Sequence, residues 1–311
     1  MNTLDFFAAY AFSTRDELTD RVIKEKSLDL WSKLRLLALG LEDKGQGLKE
    51  VCRSIYKEVV AGEGATSLYH KYVLKPHSEF MGRLELDKAE MVDLVDLPPY
   101  SAFLRFTFTL EKPFLSRDDA PFHILDNPVR KDKVFKVPMV GASTWKGNLR
   151  WMCNYLTIAK WREQEGANHG QSALSLNNFR DQWPKDRLAL YRLFGPESKA
   201  MSFCFDEVIA DLMVHKISGA EIIGAFDEHL RKQGLPRGED QGFQGRLRFY
   251  PTFFDAVGLE VINPHDPESG AGRLPIFMES VPAGARGRFS LLYAPLDLMG
   301  EENPESVRNQ T

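Results

Sequence analysis

Residues 125–150, LDNPVRKDKVFKVPMVGASTWKGNLR, constrain this chain more than any other stretch. They join a proline-bounded acidic turn to a cluster of cations and then to a Gly/Ser turn that opens a helix. Between Pro128 and Arg150, Arg130, Lys131, Lys133, Lys136, Lys146 and Arg150 face a single anion, Asp132. This is a local net charge of +5 in a chain whose formal net charge is −4. A basic run inside an acidic protein points to a directed anion site rather than general adhesion to polyanions. Gly141-Ala142-Ser143 provides a bend and a hydroxyl suited to a helix N-cap. Trp145, Leu149, Met152, Leu156 and Ala159 then fall at helical spacing. The start of such a helix offers unpaired N–H groups and partial positive charge to a phosphate, with Lys146 in its first turn.

Two common readings of such a turn fail. A nucleotide-binding loop requires Gly-Lys-Ser/Thr, whereas Lys146-Gly147-Asn148 reverses the first pair and lacks the hydroxyl. A nucleophile elbow requires Gly two residues after the serine, where Ser143 has Trp145. Composition narrows the class further. Hydrophobic residues make up 43% and charged residues 27% of 311, enough for a packed core and unlike a disordered chain. Cys52, Cys153 and Cys204 are widely separated, with neither zinc-type pairs nor a disulfide framework, and the first two fall on apolar helical stripes. No apolar run is long enough to span a bilayer and no secretory leader is evident, so a cytoplasmic protein without membrane partners is expected.

The sequence changes character near residue 98. Thr14-x-x-Glu17 reads as a capping box followed by Leu18, Val22, Leu30, Leu34, Leu37 and Leu41. Leu48, Val51, Cys52, Ile55 and Val59 form a second stripe ending at Gly62 and Gly64. Residues 1–98 are therefore expected to be a helical region. After Leu97-Pro98-Pro99, Phe103–Leu110 alternates, with Leu104, Phe106, Phe108 and Leu110 on the face expected to be buried. A long helix from about Thr144 follows, then a polar, mostly helical insertion at about 196–244. Strands are expected at Arg246–Tyr250, Leu259–Ile262, Ile276–Val281 and Arg288–Tyr293, and a polar tail at 297–311. The fold class is α+β, helices against a sheet, with residues 99–296 as the core.

The segment Pro138-Met-Val-Gly141-Ala-Ser143-Thr-Trp-Lys146-Gly147-Asn-Leu-Arg150 resembles the RAMP superfamily of CRISPR-associated proteins. These are subunits of type III RNA-guided effector complexes. Trp145 stands where that family often has Leu, and Thr144 where its second turn serine stands. Leu193-Phe194-Gly195 followed by Gly245–Tyr250 is similar to a further family element. Glu260–His265, Pro275-Ile-Phe and Pro282–Phe289 are similar to the C-terminal part of a subunit that caps the 3′ side of the complex. The resemblance implies a modified RNA-recognition-motif (ferredoxin-like) core. It also implies guide RNA, target RNA and other effector subunits as partners. Leu125–Asp132 resembles the Asp-x-Pro loop of the repeated backbone subunits. By that resemblance Asp126 is the candidate catalytic and metal-binding residue of a Mg2+-dependent endoribonuclease acting on target RNA. The C-terminal resemblance points instead to a non-catalytic cap that needs no cofactor, so whether the chain is an enzyme stays open. A stand-alone guide-processing ribonuclease is the third reading.

The candidate RNA-binding residues are Arg130, Lys131, Lys133, Lys136, Gly141, Ser143, Lys146 and Arg150. To these are added Arg246, Arg248 and Tyr250 on one strand face, and Gly284, Arg286 and Arg288 around a glycine turn. Each has a plainer counterpart. Cations on a strand also suit a plain solvated face, Gly284 suits an ordinary hairpin, and Asp126-Asn127-Pro128 is also a common turn sequence. Asp118 and Asp119 are reserve carboxylates, and His123 and His265 are further polar candidates.

Overall fold

Asp29 begins the first helix as a capping residue: its carboxylate accepts the Ser32 N–H at 3.0 Å and the Ser32 hydroxyl at 2.6 Å. The structure is a computed structural model that describes residues 22, 24–38, 48–60, 67–86, 92–118, 124–125, 127–166, 176–196, 219–235, 243–265 and 275–299. The expected capping box at Thr14 and Glu17 lies outside them. The helices are α1 (Leu30–Leu37), α2 (Leu48–Val60), α3 (Lys75–Arg83), α4 (Ala142–Gly166), α5 (Leu176–Phe194) and α6 (Gly219–Lys232). The strands are β1 (Ala102–Thr109), β2 (Met139–Val140), β3 (Leu247–Phe249), β4 (Thr252–Phe253), β5 (Gly258–Ile262), β6 (Ile276–Ser280) and β7 (Arg286–Tyr293). The mixture of helices and small sheets is α+β. One sheet has the order β1-β7-β3; β2 pairs with β4 and β5 with β6, both antiparallel, as β3 is to β7.

The chain forms two compact units that alternate along the sequence. The first comprises Met1–Glu90, Arg105–Val140 and Pro251–Phe289; the second comprises Met91–Leu104, Gly141–Tyr250 and Ser290–Thr311. The expected helical region, residues 1–98, falls mostly in the first unit together with strands from later in the chain. The physical reason lies in α2. Its apolar stripe, Cys52, Tyr56, Val59 and Val60, is buried in one core with Ile124, Leu125, Val137 and Val257. Removing each such side chain from water contributes about 1.5–3 kcal/mol, so the helical segment cannot stand alone without exposing that face. Cys52 is fully buried, and burial pushes its thiol up to about 11, in keeping with a reduced core residue.

β1 forms where the alternation places it, but its expected buried face is largely open: Leu104 is 52% and Phe106 48% exposed. The strand lies at a sheet edge, and what covers Phe106 is chiefly Phe289, with ring centroids 5.2 Å apart. Gly287 is needed for packing. A Cβ there would fall within 3.0 Å of Phe108, Phe254 and Thr252 side chains.

In the second unit α5 and α6 share a small core of Leu188, Tyr191, Phe226 and Leu230, with Phe243 stacked on Tyr191 at 5.0 Å. Within the expected insertion, 219–235 is described and contains α6; 197–218 and 236–242 lie outside the described residues. The expected tail starts with structure. Leu296–Leu298 is a 3-10 turn, and Asp297 is bound by Arg246 through Nε at 2.9 Å and Nη2 at 2.8 Å.

The end of α5 meets β3 through glycines. Gly195 takes φ +80°, and a Cβ on Gly245 would lie within 3.0 Å of Gly195 N, the Phe194 carbonyl carbon and Leu193 O. Those obstacles are backbone and cannot rotate away. Gly245→Ala is therefore expected to cost about 3 kcal/mol, the upper end of the usual overpacking range, read as a lowered thermal unfolding midpoint.

Candidate nucleic-acid interface

The helix start seen in the sequence exists, shifted by two residues. Gly141 O accepts from Thr144 N at 3.0 Å and Trp145 N at 3.1 Å, and α4 begins at Ala142. Ser143 is thus an exposed residue inside the first turn, not the N-cap expected for it, and Gly141 is buried at the turn.

Lys146 sits one turn into α4. Burial, then the Arg150 and Arg248 guanidinium groups, hold its ammonium below the usual lysine range. Three cations from α4 and β3 therefore share one location. Two are tethered. Arg150 donates Nη2 to Phe194 O at 2.5 Å and to Gly195 O at 3.0 Å, and Nη1 to Pro196 O at 3.3 Å, so it caps the end of α5. Arg248 donates to Gly245 O and, at 2.9 Å, to Gln244 Oε1. Among the described residues Lys146 forms no hydrogen bond or salt bridge. Like charges gathered without a carboxylate raise one another's energy, and a bound anion relieves this.

The other predicted cations have different surroundings. Arg246 is 3% exposed, engaged by Asp297 and by the Tyr293 hydroxyl at 3.1 Å, and does not share an outward face with Arg248. Tyr250 is half-buried, edge-on to Phe103 at 6.1 Å. Arg130 and Lys133 are exposed in the first unit. Lys136 is half-buried with φ +58°. Burial first, then Arg35, holds its ammonium below the ordinary value, against the pull of Asp132 and Asp118. These lie on a turn in which Asp132 Oδ1 accepts the Val134 and Phe135 N–H groups, both at 2.8 Å. Gly284, φ +86°, makes the turn before β7. Arg286 is exposed with its N–H 3.2 Å from Asp255 Oδ1, and Arg288 is half-buried. The sequence run of cations is thus divided between the two units at Val140–Gly141.

Lys131 is 7% exposed and points away from any surface role. Its ammonium donates to Glu279, a fully buried carboxylate on β6. Glu279 also accepts from the Tyr56 hydroxyl on α2 and from Val129 N at 3.0 Å, while its backbone N–H donates to Asn127 O at 3.0 Å. Burial pushes the Glu279 carboxyl up to about 8, against the Val129 N–H. It pushes the Lys131 ammonium down to about 7, against Asp118. Burial thus disfavours each charge on its own, and the ammonium and carboxyl compensate one another only while they stay bonded.

Sequence reasoning missed Glu279 and Tyr56. The available signal was a lone carboxylate in an otherwise apolar strand, Ile276–Met278, and a tyrosine within the apolar stripe of α2.

Asp126, Asp119 and His123 lie outside the described residues, His265 is exposed, and Asp118 Oδ2 accepts Lys131 N at 3.4 Å. Among the described residues no three His, Cys, Asp or Glu side chains form a metal-binding group, and no helix is long and apolar enough to cross a membrane.

No protein-family model and no curated protein matches the chain. Solved structures that it is similar to include the following three. One, from a cryo-EM structure of the type III-B Cmr-beta bound to cognate target RNA, is 11% identical over 95% of this chain and 89% of the other, with TM-score 0.39. The second is Cmr6 from Pyrococcus furiosus, 14% identical over 68% and 88%, TM-score 0.26. The third belongs to a CRISPR RNA-guided surveillance complex, pre-nicking, 12% identical over 68% and 69%, TM-score 0.30.

Breaking the buried pair from one side strands a charge. Lys131→Met alone is expected to destabilise the protein by about 3–5 kcal/mol, and adding Glu279→Leu to recover part of that loss, since the second change removes the stranded carboxylate. Denaturant unfolding of the two variants measures the difference.

Proposed function

We propose that this chain is an RNA-binding subunit of a type III CRISPR effector complex, of the RAMP type, acting in the cytoplasm. The observation that carries this reading is Lys146, without a bonded partner among the described residues and crowded by Arg150 and Arg248 at the start of α4. That is the turn whose sequence, Gly141–Arg150, resembles the RAMP element. A phosphate of guide RNA would fit there and offset the repulsion among the three cations. Exposed Arg130, Lys133 and Arg286 offer additional phosphate contacts on the first unit. Base pairing between guide and target would supply sequence choice, so side chains that read bases are not required. The modified RNA-recognition-motif core belongs to this reading.

The resemblance of Leu125–Asp132 adds the cutting of target RNA with Asp126 as its carboxylate. Magnesium suits such a place, because it binds through one or two carboxylates together with substrate phosphates and water, not through a full protein cage. Asp126 would hold the ion, which would stabilise charge at the cleaved phosphate.

The phosphate role has a salt and a pH signature. Lys146→Ala is expected to weaken RNA binding by the assembled complex and to reduce the slope of log affinity against log salt by roughly 0.7, one contact on a single strand. A bound phosphate lifts the Lys146 ammonium back toward its ordinary value, so binding takes up protons as pH approaches the lysine range. Wild-type affinity therefore falls as pH rises there, and the alanine variant loses this dependence. Anisotropy titrations at several salt concentrations and pH values measure both.

RNA sequencing of material co-purified with the tagged protein from its native host tests the larger reading. Short RNAs sharing a repeat-derived 5′ end, together with other effector subunits, are expected, and absence of both removes the proposal. In the same preparation Asp126→Ala is expected to abolish target cutting with assembly intact. Unchanged cutting leaves a non-catalytic subunit.

A further inference from the structure

The side of α4 that meets the rest of its unit is largely polar, and its apolar side faces outward. Asn154 is buried, Arg150 is bound to the carbonyls that end α5, and the Thr157 hydroxyl donates to Cys153 O at 2.9 Å. On the opposite side Trp151, Met152, Tyr155 and Leu156 are between 43% and 57% exposed. Large apolar side chains left open together mark a site of interaction. Two of them are already ordered. The Trp151 and Tyr155 rings, one turn apart, are stacked with centroids 5.7 Å apart and planes within 15°. Little rotamer freedom is therefore left to lose when another flat group joins them. Gly147 lies one turn before Trp151 on the same face. It is exposed, and a Cβ there would meet nothing within 4 Å. Glycine is a poor helix former, and packing among the described residues does not require one at this place. What it provides is bare backbone between Lys146 and the rings.

We propose that Trp151 and Tyr155 form a stacking site for an unpaired base of single-stranded RNA, continuing the phosphate site at Lys146. The inference rests on the RNA-binding reading and adds to it a contact of a different kind. Charge decides the occupant. From Ala142 to Lys160 the charged residues are Lys146, Arg150 and Lys160, with no carboxylate among them. Arg150 is tied to backbone and Lys160 lies 3.7 Å from Asp186, while Lys146 has no bonded partner among the described residues. Stacked rings beside an unopposed cation suit a ligand that carries negative charge and flat π surfaces in one repeating unit, which is a nucleic acid strand. A protein partner would match the rings alone. The rise from Lys146 to Trp151 is about 7.5 Å along the helix axis, so a strand with a phosphate at the ammonium crosses Gly147 to lay a base on the rings. Met152 and Leu156 border the rings and keep water from that base. Every base has a π face, so the site needs no groups that read sequence.

The test compares two fluorescein-labelled strands of equal length, oligouridylate and an abasic ribose-phosphate strand, by anisotropy with the full chain at low salt. The wild type is expected to bind oligouridylate about tenfold more tightly than the abasic strand, the scale of one stacked base. Trp151→Ala is expected to abolish that preference while leaving the abasic affinity and its salt slope unchanged. Trp151→Phe keeps a ring and is expected to retain most of the preference. Should Trp151→Ala fold poorly, Trp151→Leu takes its place. It keeps apolar volume without a π face and is judged on the same preference. A wild type that binds the two strands equally, or a preference that survives loss of the Trp151 ring, overturns the proposal. So does self-association of the wild type in sedimentation velocity that Trp151→Ala disperses, with equal affinity for both strands; the face would then dock protein. Lys146→Ala runs alongside and is expected to weaken both strands by the same factor. If it changes neither, the phosphate site at Lys146 fails while the oligouridylate preference still judges stacking. If neither strand binds the wild type, the RNA-binding reading fails and this inference with it.

Discussion

The first unit depends on one buried carboxylate. Glu279 has no contact with water, and an isolated charge there would cost several kcal/mol. Three donors from three separate places make it tolerable: Tyr56 from a helix, Lys131 from a turn and Val129 from the backbone of a loop. Apolar packing alone would bring the same elements together, but it would tolerate a slip of one residue. A carboxylate with three directional donors does not, because any slip leaves a polar group unpaired in the interior. The network therefore defines register where the sheets are short. Together with the apolar stripe of α2, it ties that helix to β6 within the first unit.

The second unit solves a different problem with the same kind of residue. Arg246 is consumed by Asp297, which ties the segment after β7 back to β3. Arg150 is directed to the carbonyls at the end of α5, where a helix leaves acceptors without partners. Two of the unit's cations are thus structural ties between elements distant in sequence. Lys146 beside them is different: burial and its neighbours raise its energy, and the described residues supply no compensating acceptor. A cluster of cations of this kind favours an anion through its local field, whatever the net charge of the chain, and that is the basis of the phosphate site proposed here.

Much of the secondary structure was legible from periodicity: α2 from its apolar stripe, β1 from its alternation, α4 from the residues after Gly141, and β3, β5, β6 and β7 within a residue or two. The roles of the charged residues were not. Lys131 and Glu279 lie 148 positions apart, and Arg246 and Asp297 51 positions apart. Local pattern carries no information about such partners, so a cation destined for the interior looks the same as one destined for RNA. The open face of β1 was misread for a related reason. Alternation shows that a strand has two different faces, but not that anything covers the apolar one. Asp126 lies outside the described residues, and the role proposed for it stands on resemblance alone.

Leu193-Phe194-Gly195 acquires a physical meaning from this arrangement. It was a pattern match in the sequence; in the structure its glycine is where two backbones touch, Gly195 against Gly245. Phe194 stacks on Phe249 at 6.3 Å with rings 13° apart, and Arg192 O accepts from Arg246 N at 2.8 Å. The carbonyls of Phe194 and Gly195 then receive Arg150. The element serves as the hinge pin between α5, α4 and β3, and none of its side chains needs to touch RNA. Its part in the proposed phosphate site is indirect and geometric. Because it fixes Arg150 on one side and the start of β3 on the other, it sets the spacing between Arg150 and Arg248, and hence the repulsion that Lys146 feels. Widening that junction by the size of a methyl group would loosen the cation cluster before it altered any residue that faces a phosphate.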